Sequence, residues 1–182
     1  MIKNTIVLFS FLICLPWTVN AQQADASILT VDRLYSGEFA QASFGPSKWL
    51  NDGEAYTTLE ASLTEGAKDI VQYDTKSGRR TILVDATALT PADSDTPLTI
   101  ANYSWSNDGQ KLMVFTNTKR VWRTNTKGDY WIYDLSTKTL MQVGATLPTS
   151  SLMFAKFSTD DEQIAFVSEN NLYVQNLSLI HI

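Results

Sequence analysis

The chain has 182 residues, of which 44% are hydrophobic, so it is long enough for one ordinary domain and apolar enough to build a core. Its formal net charge is −5 and its acidic residues are scattered along the chain. This balance argues against a surface that binds nucleic acid or another polyanion.

The first 21 residues are typical of an export signal. Lys3 supplies a short positive start, residues 6–19 are almost continuously apolar, and Val19 and Ala21 occupy the positions that signal peptidase reads. The apolar run is shorter than the about 20 residues of a membrane span, so release to the periplasm or cell exterior is favoured over a retained anchor. Cys14 lies inside the signal, which leaves the mature chain no cysteine for a disulfide or a thiolate metal site.

Residues 22–40 are expected to form a polar N-terminal segment that contains one short helix. Thr30 can cap this helix, and Gly37 is placed to end it. The apolar residues of the helix fall on one face: Val31, Leu34 and Tyr35.

Beyond residue 40, short segments rich in β-branched and aromatic residues alternate with turn residues, and one hairpin motif recurs. Each copy is an aromatic strand end, a tight turn and a second strand, and the copies lie 56 and then 52 residues apart. The turns centre on Asp52, Asp108 and Asp160. Further strand segments follow at 69–74, 130–135 and 171–176. This repeat predicts an all-β partial propeller over residues 41–176, with about three four-stranded blades.

We expect the natural protein to continue beyond Asn176, because a single blade cannot cover both faces of its own sheet. The last six residues, 177–182, also resemble the translation of a transposon-based sequencing adapter. The alternative is a genuine strand end. If the tail is adapter sequence, the natural part of the chain has no histidine, since His181 is the only one present.

Catalytic and metal motifs are sparse. The sequence has no G-x-S-x-G turn, and its only histidine, His181, lies in the six-residue tail, so we expect no catalytic residue in this chain. The acidic triplet Asp160-Asp161-Glu162 lies on the third hairpin turn, where a solvated turn is favoured over a metal site. No phosphate-binding glycine loop or dinucleotide fingerprint is present, so no cofactor is expected.

Three segments together resemble the N-terminal propeller of the dipeptidyl peptidase IV family, in the prolyl oligopeptidase clan of serine peptidases. They are Tyr103–Gln110, the triplet Val121-Trp122-Arg123, and Tyr130–Leu135, and the resemblance extends over residues 29–176. It implies an eight-bladed propeller joined to an α/β-hydrolase domain that this chain lacks. It also implies an exported exopeptidase that releases N-terminal dipeptides with proline or alanine second, and a homodimer of the full-length enzyme. This chain alone would be inactive.

The same resemblance gives Arg123 a role, because the family's matching arginine points into the cavity between the domains. There it contacts a carbonyl oxygen of the bound peptide substrate. The alternative is a solvated arginine in a loop from Lys119 to Gly128. Trp122 is expected to pack on the blade edge and to hold that loop in place. A different class of function is also open: a non-enzymatic exported propeller that binds peptides or envelope partners.

Overall fold

The computed structural model describes residues 27–40 and 45–177, apart from the side chain of Asn51. The predicted signal at 1–21 and residues 178–182 of the predicted tail lie outside these residues. Contacts divide the chain into two units, residues 1–42 and 43–182, which are described separately. Among the described residues, no helix is long and apolar enough to cross a membrane.

The described part of the first unit contains one short helix, α1 (Val31–Tyr35). The hydroxyl of Thr30 caps it by accepting a hydrogen bond from the backbone N–H of Arg33 at 3.3 Å. Gly37 follows the helix with φ 86°, a left-handed conformation that glycine adopts without strain. The helix buries none of its residues, so its apolar side chains are exposed.

The second unit consists of three consecutive antiparallel sheets, in which neighbouring strands follow chain order. The first holds β1 (Lys48–Leu50), β2 (Ala55–Ala61), β3 (Lys68–Asp74) and β4 (Arg80–Val84). The second holds β5 (Asn102–Trp105), β6 (Lys111–Val121), β7 (Thr124–Asp134) and β8 (Thr139–Gln142). The third holds β9 (Met153–Phe157), β10 (Gln163–Ser168) and β11 (Asn171–Asn176). Two 3-10 turns, Asn51–Gly53 and Ala86–Leu89, complete the elements. The predicted all-β partial propeller is therefore confirmed.

Each predicted hairpin joins the first two strands of a sheet. The second and third turns have the same internal pattern of hydrogen bonds. In the second turn the Ser106 hydroxyl donates to Asp108 Oδ1 at 2.5 Å and accepts from the backbone N–H of Lys111 at 2.8 Å. In the third turn the Ser158 hydroxyl makes the matching bonds, at 2.5 Å to Asp160 Oδ1 and 2.9 Å from the N–H of residue 163. The Ser-x-Asp spacing therefore fixes the turn through side-chain bonds to its own backbone.

The apolar core lies between consecutive sheets, in two clusters on opposite faces of the middle sheet. Side chains alternate along β6, so Leu112 and Val114 face the first cluster while Met113 faces the second. The first cluster also contains Ile70, Val84, Leu89, Ile100, Tyr103 and Tyr133. The second also contains Tyr130, Ile132, Val143, Leu152, Ala155, Ile164, Phe166 and Leu177. Because both of its faces are buried, the middle sheet is a rigid support for the segments that extend from its strands.

Polar side chains also cross from sheet to sheet. Thr57 is fully buried on β2, and its hydroxyl oxygen accepts from Trp105 Nε1 at 2.9 Å and lies 3.1 Å from the Tyr103 hydroxyl. Thr57 thereby joins the first sheet to β5. Because a buried polar group left unpaired is costly, such bonds fix how two sheets pack.

The expectation of a solvated acidic triplet was wrong for its central residue. Asp161 is 5% exposed, and its carboxylate accepts hydrogen bonds from the backbone N–H groups of Asn107 at 3.0 Å and Asp108 at 2.9 Å. The Asn107 side-chain amide adds a third bond at 3.0 Å. The third turn therefore clamps the second turn, while Asp160 and Glu162 remain exposed.

Candidate functional site

The stretch from Lys119 to Gly128, expected as a loop in one of the two interpretations of Arg123, is a β-hairpin. Its strands pair Lys119 with Lys127, Arg120 with Asn125 and Val121 with Thr124, which leaves a two-residue turn. The Asn125 side-chain amide also donates to the Thr118 hydroxyl across the hairpin at 2.9 Å. The loop expectation failed because this stretch is polar on both faces and lacks the alternation of a half-buried strand. We call residues 117–128 the arm.

The arm is offset from the sheet that carries it. Regular pairing of β6 with β7 ends at Thr116 and Asp129, and the register then shifts on both sides of Lys119. Asn117 adopts φ 46° at the first shift. Bulges of this kind bend a strand and re-aim the residues beyond them. The direction of the arm is therefore set at its base.

The arm is strongly cationic. It carries Lys119, Arg120, Arg123 and Lys127 and no acidic residue, in a chain whose net charge is −5. Among the described residues, none of these four cations forms an ion pair. Their attraction for an approaching anionic or carbonyl group is therefore not neutralised locally.

Trp122 and Arg123 form the tip of the arm. The expectation that Trp122 packs on the blade edge was wrong, because this side chain is 94% exposed and the two-residue turn carries it away from the sheet. Trp122 also adopts φ 60°, an unfavourable conformation for a bulky residue. The Arg120 Nε donates to the Trp122 carbonyl oxygen at 3.2 Å and supports this turn. Arg123 is exposed and makes no hydrogen bond or ion pair within the described part of the chain.

An open cavity of about 310 Å³ lies beside the arm, where the first strands of the three sheets approach one another. Its lining includes two lysines, Lys48 and Lys156, and no acidic residue. Asn125 and Thr126 of the arm also line it, and Arg123 is two residues along the chain from Asn125. The remaining lining residues are Asn102, Tyr103, Ser104, Met113, Phe115, Tyr130, Phe154 and Ala155. This combination suits a ligand that presents hydrogen-bond acceptors, such as an extended peptide backbone.

Aromatic rings form part of the cavity wall. Phe115 and Tyr130 face each other across β6 and β7 and stack with ring centroids 4.6 Å apart. Burial raises the pKa of Tyr130 above its ordinary value, so its phenol stays protonated at neutral pH. Apolar rings next to cationic and amide groups allow the site to hold a peptide by both its side chains and its backbone.

Comparison with known proteins supports the fold and shows which family part of the chain resembles. Residues 106–179 match the family model described as the dipeptidyl peptidase IV N-terminal region. This matched segment contains the whole arm, including Arg123, together with Asp129 and Asp161.

Individual relatives are similar over more of the chain than this segment. Dipeptidyl-aminopeptidase B of Aspergillus niger is 28% identical over 170 residues, covering 88% of this chain and 18% of that protein. A protein named probable dipeptidyl-aminopeptidase B from Aspergillus oryzae is 29% identical over 128 residues, covering 70% of this chain and 13% of that protein. The chain thus spans less than a fifth of the length of these relatives.

A solved structure supports the same fold. The crystal structure of Porphyromonas gingivalis dipeptidyl peptidase 4 superimposes with a TM-score of 0.68 and 23% identity, covering 83% of this chain and 20% of that one. At this identity the match establishes the fold. It agrees with the arrangement of sheets described above.

The described residues lack two common components of catalytic sites. They include no histidine, since the chain's only one is His181. They also hold no cluster of three or more metal-ligating side chains. Sequence reasoning singled out Arg123 but missed the three buried carboxylates of the described residues, Asp69, Asp129 and Asp161. For Asp129 the available signal was an acid placed directly before the apolar run of β7.

Proposed function

We propose that this chain is the N-terminal, substrate-filtering part of an exported dipeptidyl peptidase IV-like serine exopeptidase. The enzyme removes dipeptides from peptide N-termini, with proline or alanine second. The observation that carries the proposal is the exposed Arg123 at the tip of a cationic arm, inside the region that matches the family. Export uses residues 1–21, and the full-length enzyme is a homodimer without a cofactor.

In this proposal Arg123 binds a substrate carbonyl oxygen. A guanidinium presents five N–H donors in a fixed plane and keeps its charge at all working pH values, so it can hold a carbonyl without exchanging a proton. Within the described residues its donors are not used by any other group. The neighbouring cavity, which lacks acidic residues, then receives the rest of the peptide.

Chemistry in the full-length enzyme is acyl transfer. A serine in an α/β-hydrolase domain attacks the carbonyl carbon of the second residue, and the peptide bond after that residue breaks, so the shortened peptide leaves as a protonated amine. The dipeptide is then held as a serine ester, and water hydrolyses this ester to free the dipeptide and restore the serine hydroxyl. The role of this chain is to orient the peptide and to exclude poorly fitting substrates. Correct placement alone accounts for a large share of catalysis, because it removes the entropy cost of bringing the groups together.

The experiment is a kinetic comparison of Arg123→Ala, Arg123→Lys and wild-type full-length protein on dipeptide substrates. A charge-assisted hydrogen bond is worth roughly 1.5–3 kcal/mol, so Arg123→Ala should lower kcat/KM about ten- to a hundredfold. Arg123→Lys should recover part of the loss, since an ammonium lacks the planar fork. Labelling of the serine by a small phosphonylating probe should not change.

Lys119→Ala is the matched control, because it removes one exposed positive charge from the same arm. We expect its kcat/KM to stay within about twofold of wild type, the size of an exposed, screened charge effect. Wild-type kinetics in well-folded Arg123→Ala protein would contradict the proposed role of Arg123. Equal losses in Lys119→Ala and Arg123→Ala would replace the specific hydrogen bond with a general effect of charge.

A further inference from the structure

The base of the arm contains a buried carboxylate that the proposed mechanism does not use. Asp129 is 6% exposed and lies in the last regular pair of β6 and β7, opposite Thr116. Its Oδ2 accepts a hydrogen bond from the Asn117 side-chain amide at 2.7 Å, and its Oδ1 accepts from the backbone N–H of Ser150 at 2.6 Å. Both carboxylate oxygens are therefore occupied by donors from two other segments.

These bonds close into a ring. The Ser150 hydroxyl donates to the backbone carbonyl oxygen of Asn117 at 2.7 Å, so Asp129, Asn117 and Ser150 contact one another in turn. Asn117 and Ser150 both adopt left-handed backbone conformations, with φ 46° and 56°. Such conformations persist where the surrounding bonds hold them, and the ring provides those bonds.

A backbone contact beside the ring fixes the second strand of the arm. Gly128 and Leu152 exchange two backbone hydrogen bonds, each of 3.0 Å. Leu152 is 2% exposed and belongs to the core between the second and third sheets. The base of the arm is therefore hydrogen-bonded to the residue that directly precedes β9, the first strand of the third sheet.

We propose that Asp129 is a positioning residue that sets the direction of the arm and thereby the place of Arg123. The strand ladder alone cannot set this direction, because the register shifts immediately beyond Asp129. The ring supplies the missing restraint through two short bonds to a negatively charged group, which are stronger than neutral ones. The link from arm position to substrate binding rests on the proposed function.

The test compares Asp129→Ala, Asp129→Asn and Asp161→Ala in the full-length protein. Asp129→Ala removes both acceptors. Asp129→Asn retains one acceptor for Ser150, and its amide can donate to the Asn117 oxygen after that side-chain amide flips, so the ring can persist without charge. Asp161→Ala is the matched control, because it removes an equally buried carboxylate that clamps the turn at the other end of β6.

The first measurement is backbone amide hydrogen exchange in the arm, which needs no activity. We expect Asp129→Ala to speed exchange at residues 119–127 about tenfold, because loss of two hydrogen bonds favours local opening. Asp129→Asn, which can keep both bonds without the charge, should speed exchange much less than Asp129→Ala, and Asp161→Ala should leave exchange in the arm near the wild-type rate. Equal rates in Asp129→Ala and Asp161→Ala would overturn the inference, and so would equal effects of Ala and Asn at position 129.

The second measurement is peptidase kinetics. If the arm presents Arg123 to bound substrate, Asp129→Ala should raise KM about tenfold with little change in kcat, the pattern of lost uniform binding. Asp129→Asn should restore most of the affinity. Faster exchange of the arm in Asp129→Ala with unchanged KM would leave the positioning role intact and refute the proposed function of the arm.

Discussion

The carboxylate of Asp161 joins two sheets, and its removal should be among the more destabilising single changes in this chain. It accepts three hydrogen bonds of 2.9 to 3.0 Å, two from backbone N–H groups and one from the Asn107 amide. Asp161 also adopts φ 58°, where alanine is strained. Asp161→Ala therefore removes the acceptor for two backbone donors and adds a backbone penalty.

The size of the effect follows from these losses. Each hydrogen bond to a charged group contributes about 1.5–3 kcal/mol in a buried setting, but water can reach part of this turn and recover some of it. Together with about 1 kcal/mol for the left-handed alanine, we expect the free energy of unfolding to fall by about 3–4 kcal/mol. Asp161→Gly relieves the backbone strain, so its loss should be smaller by about 1 kcal/mol.

Denaturant unfolding of the full-length protein, followed by tryptophan fluorescence, measures this change because Trp105 lies one residue before the clamped turn. Asp160→Ala is the control: its carboxylate accepts only bonds within its own turn, from the Ser158 hydroxyl and the Glu162 N–H, and should cost about 1 kcal/mol. Hydrogen exchange at the amides of Asn107 and Asp108 should accelerate only in the Asp161 variants. If Asp161→Ala lowers the free energy of unfolding no more than Asp160→Ala does, the hydrogen bonds of Asp161 do not stabilise the contact between the sheets.

Two further predictions concern the arm base and the first sheet. A Cβ at Gly128 would lie 2.6 Å from the Thr116 carbonyl oxygen, so Gly128→Ala should lower the free energy of unfolding by about 1–3 kcal/mol. If denaturant unfolding gives this variant the stability of wild type, the close approach at Gly128 is contradicted. The Tyr73 hydroxyl, and then Arg80, hold the pKa of Glu60 below its ordinary value of 4.5. This stabilisation is present above the unfolded pKa and is lost as pH falls through the folded one. The Tm difference between wild type and Glu60→Gln should therefore be largest near neutral pH and vanish in acid. A Tm difference that does not change with pH would show that the ionised Glu60 carboxylate is not the origin of the stabilisation.

The hairpins could be predicted from the sequence because their determinants are local. Asp52, Asp108 and Asp160 each lie between an aromatic strand end and a second apolar strand, and all three turns occur where expected. The Ser-x-Asp network closes within five residues, so a short window of sequence contains all the information. The same reasoning found the strands that follow each hairpin.

The arm and the partners of Asp129 and Asp161 could not be predicted, for different reasons. Residues 117–128 form a hairpin without a buried face, so they lack the periodicity by which strands are recognised. Asp161 contacts residues 53 and 54 positions earlier, and Asp129 contacts Ser150, 21 positions later. Neither Asp161 in its polar turn nor Asp129 on β7 indicates such partners from the sequence, because these contacts depend on how two sheets meet. The substrate contact of Arg123 stays a prediction.

The contrast between the turns explains why the second and third sheets are held together differently from the first and second. In the second turn Gly109, with φ 68°, occupies the position that Asp161 occupies in the third, so it offers no carboxylate to the first turn. An open cavity of about 720 Å³ lies between the first two turns, and the joining bonds there are made instead by Thr57 within the sheets. Between the second and third sheets, the Asp161 carboxylate and the Asp129 ring hold opposite ends of the contact. Only the Asp129 ring lies at the base of the arm, whereas the Asp161 clamp lies at the other end of β6, so of the two attachments it is the ring that bears on the position of Arg123.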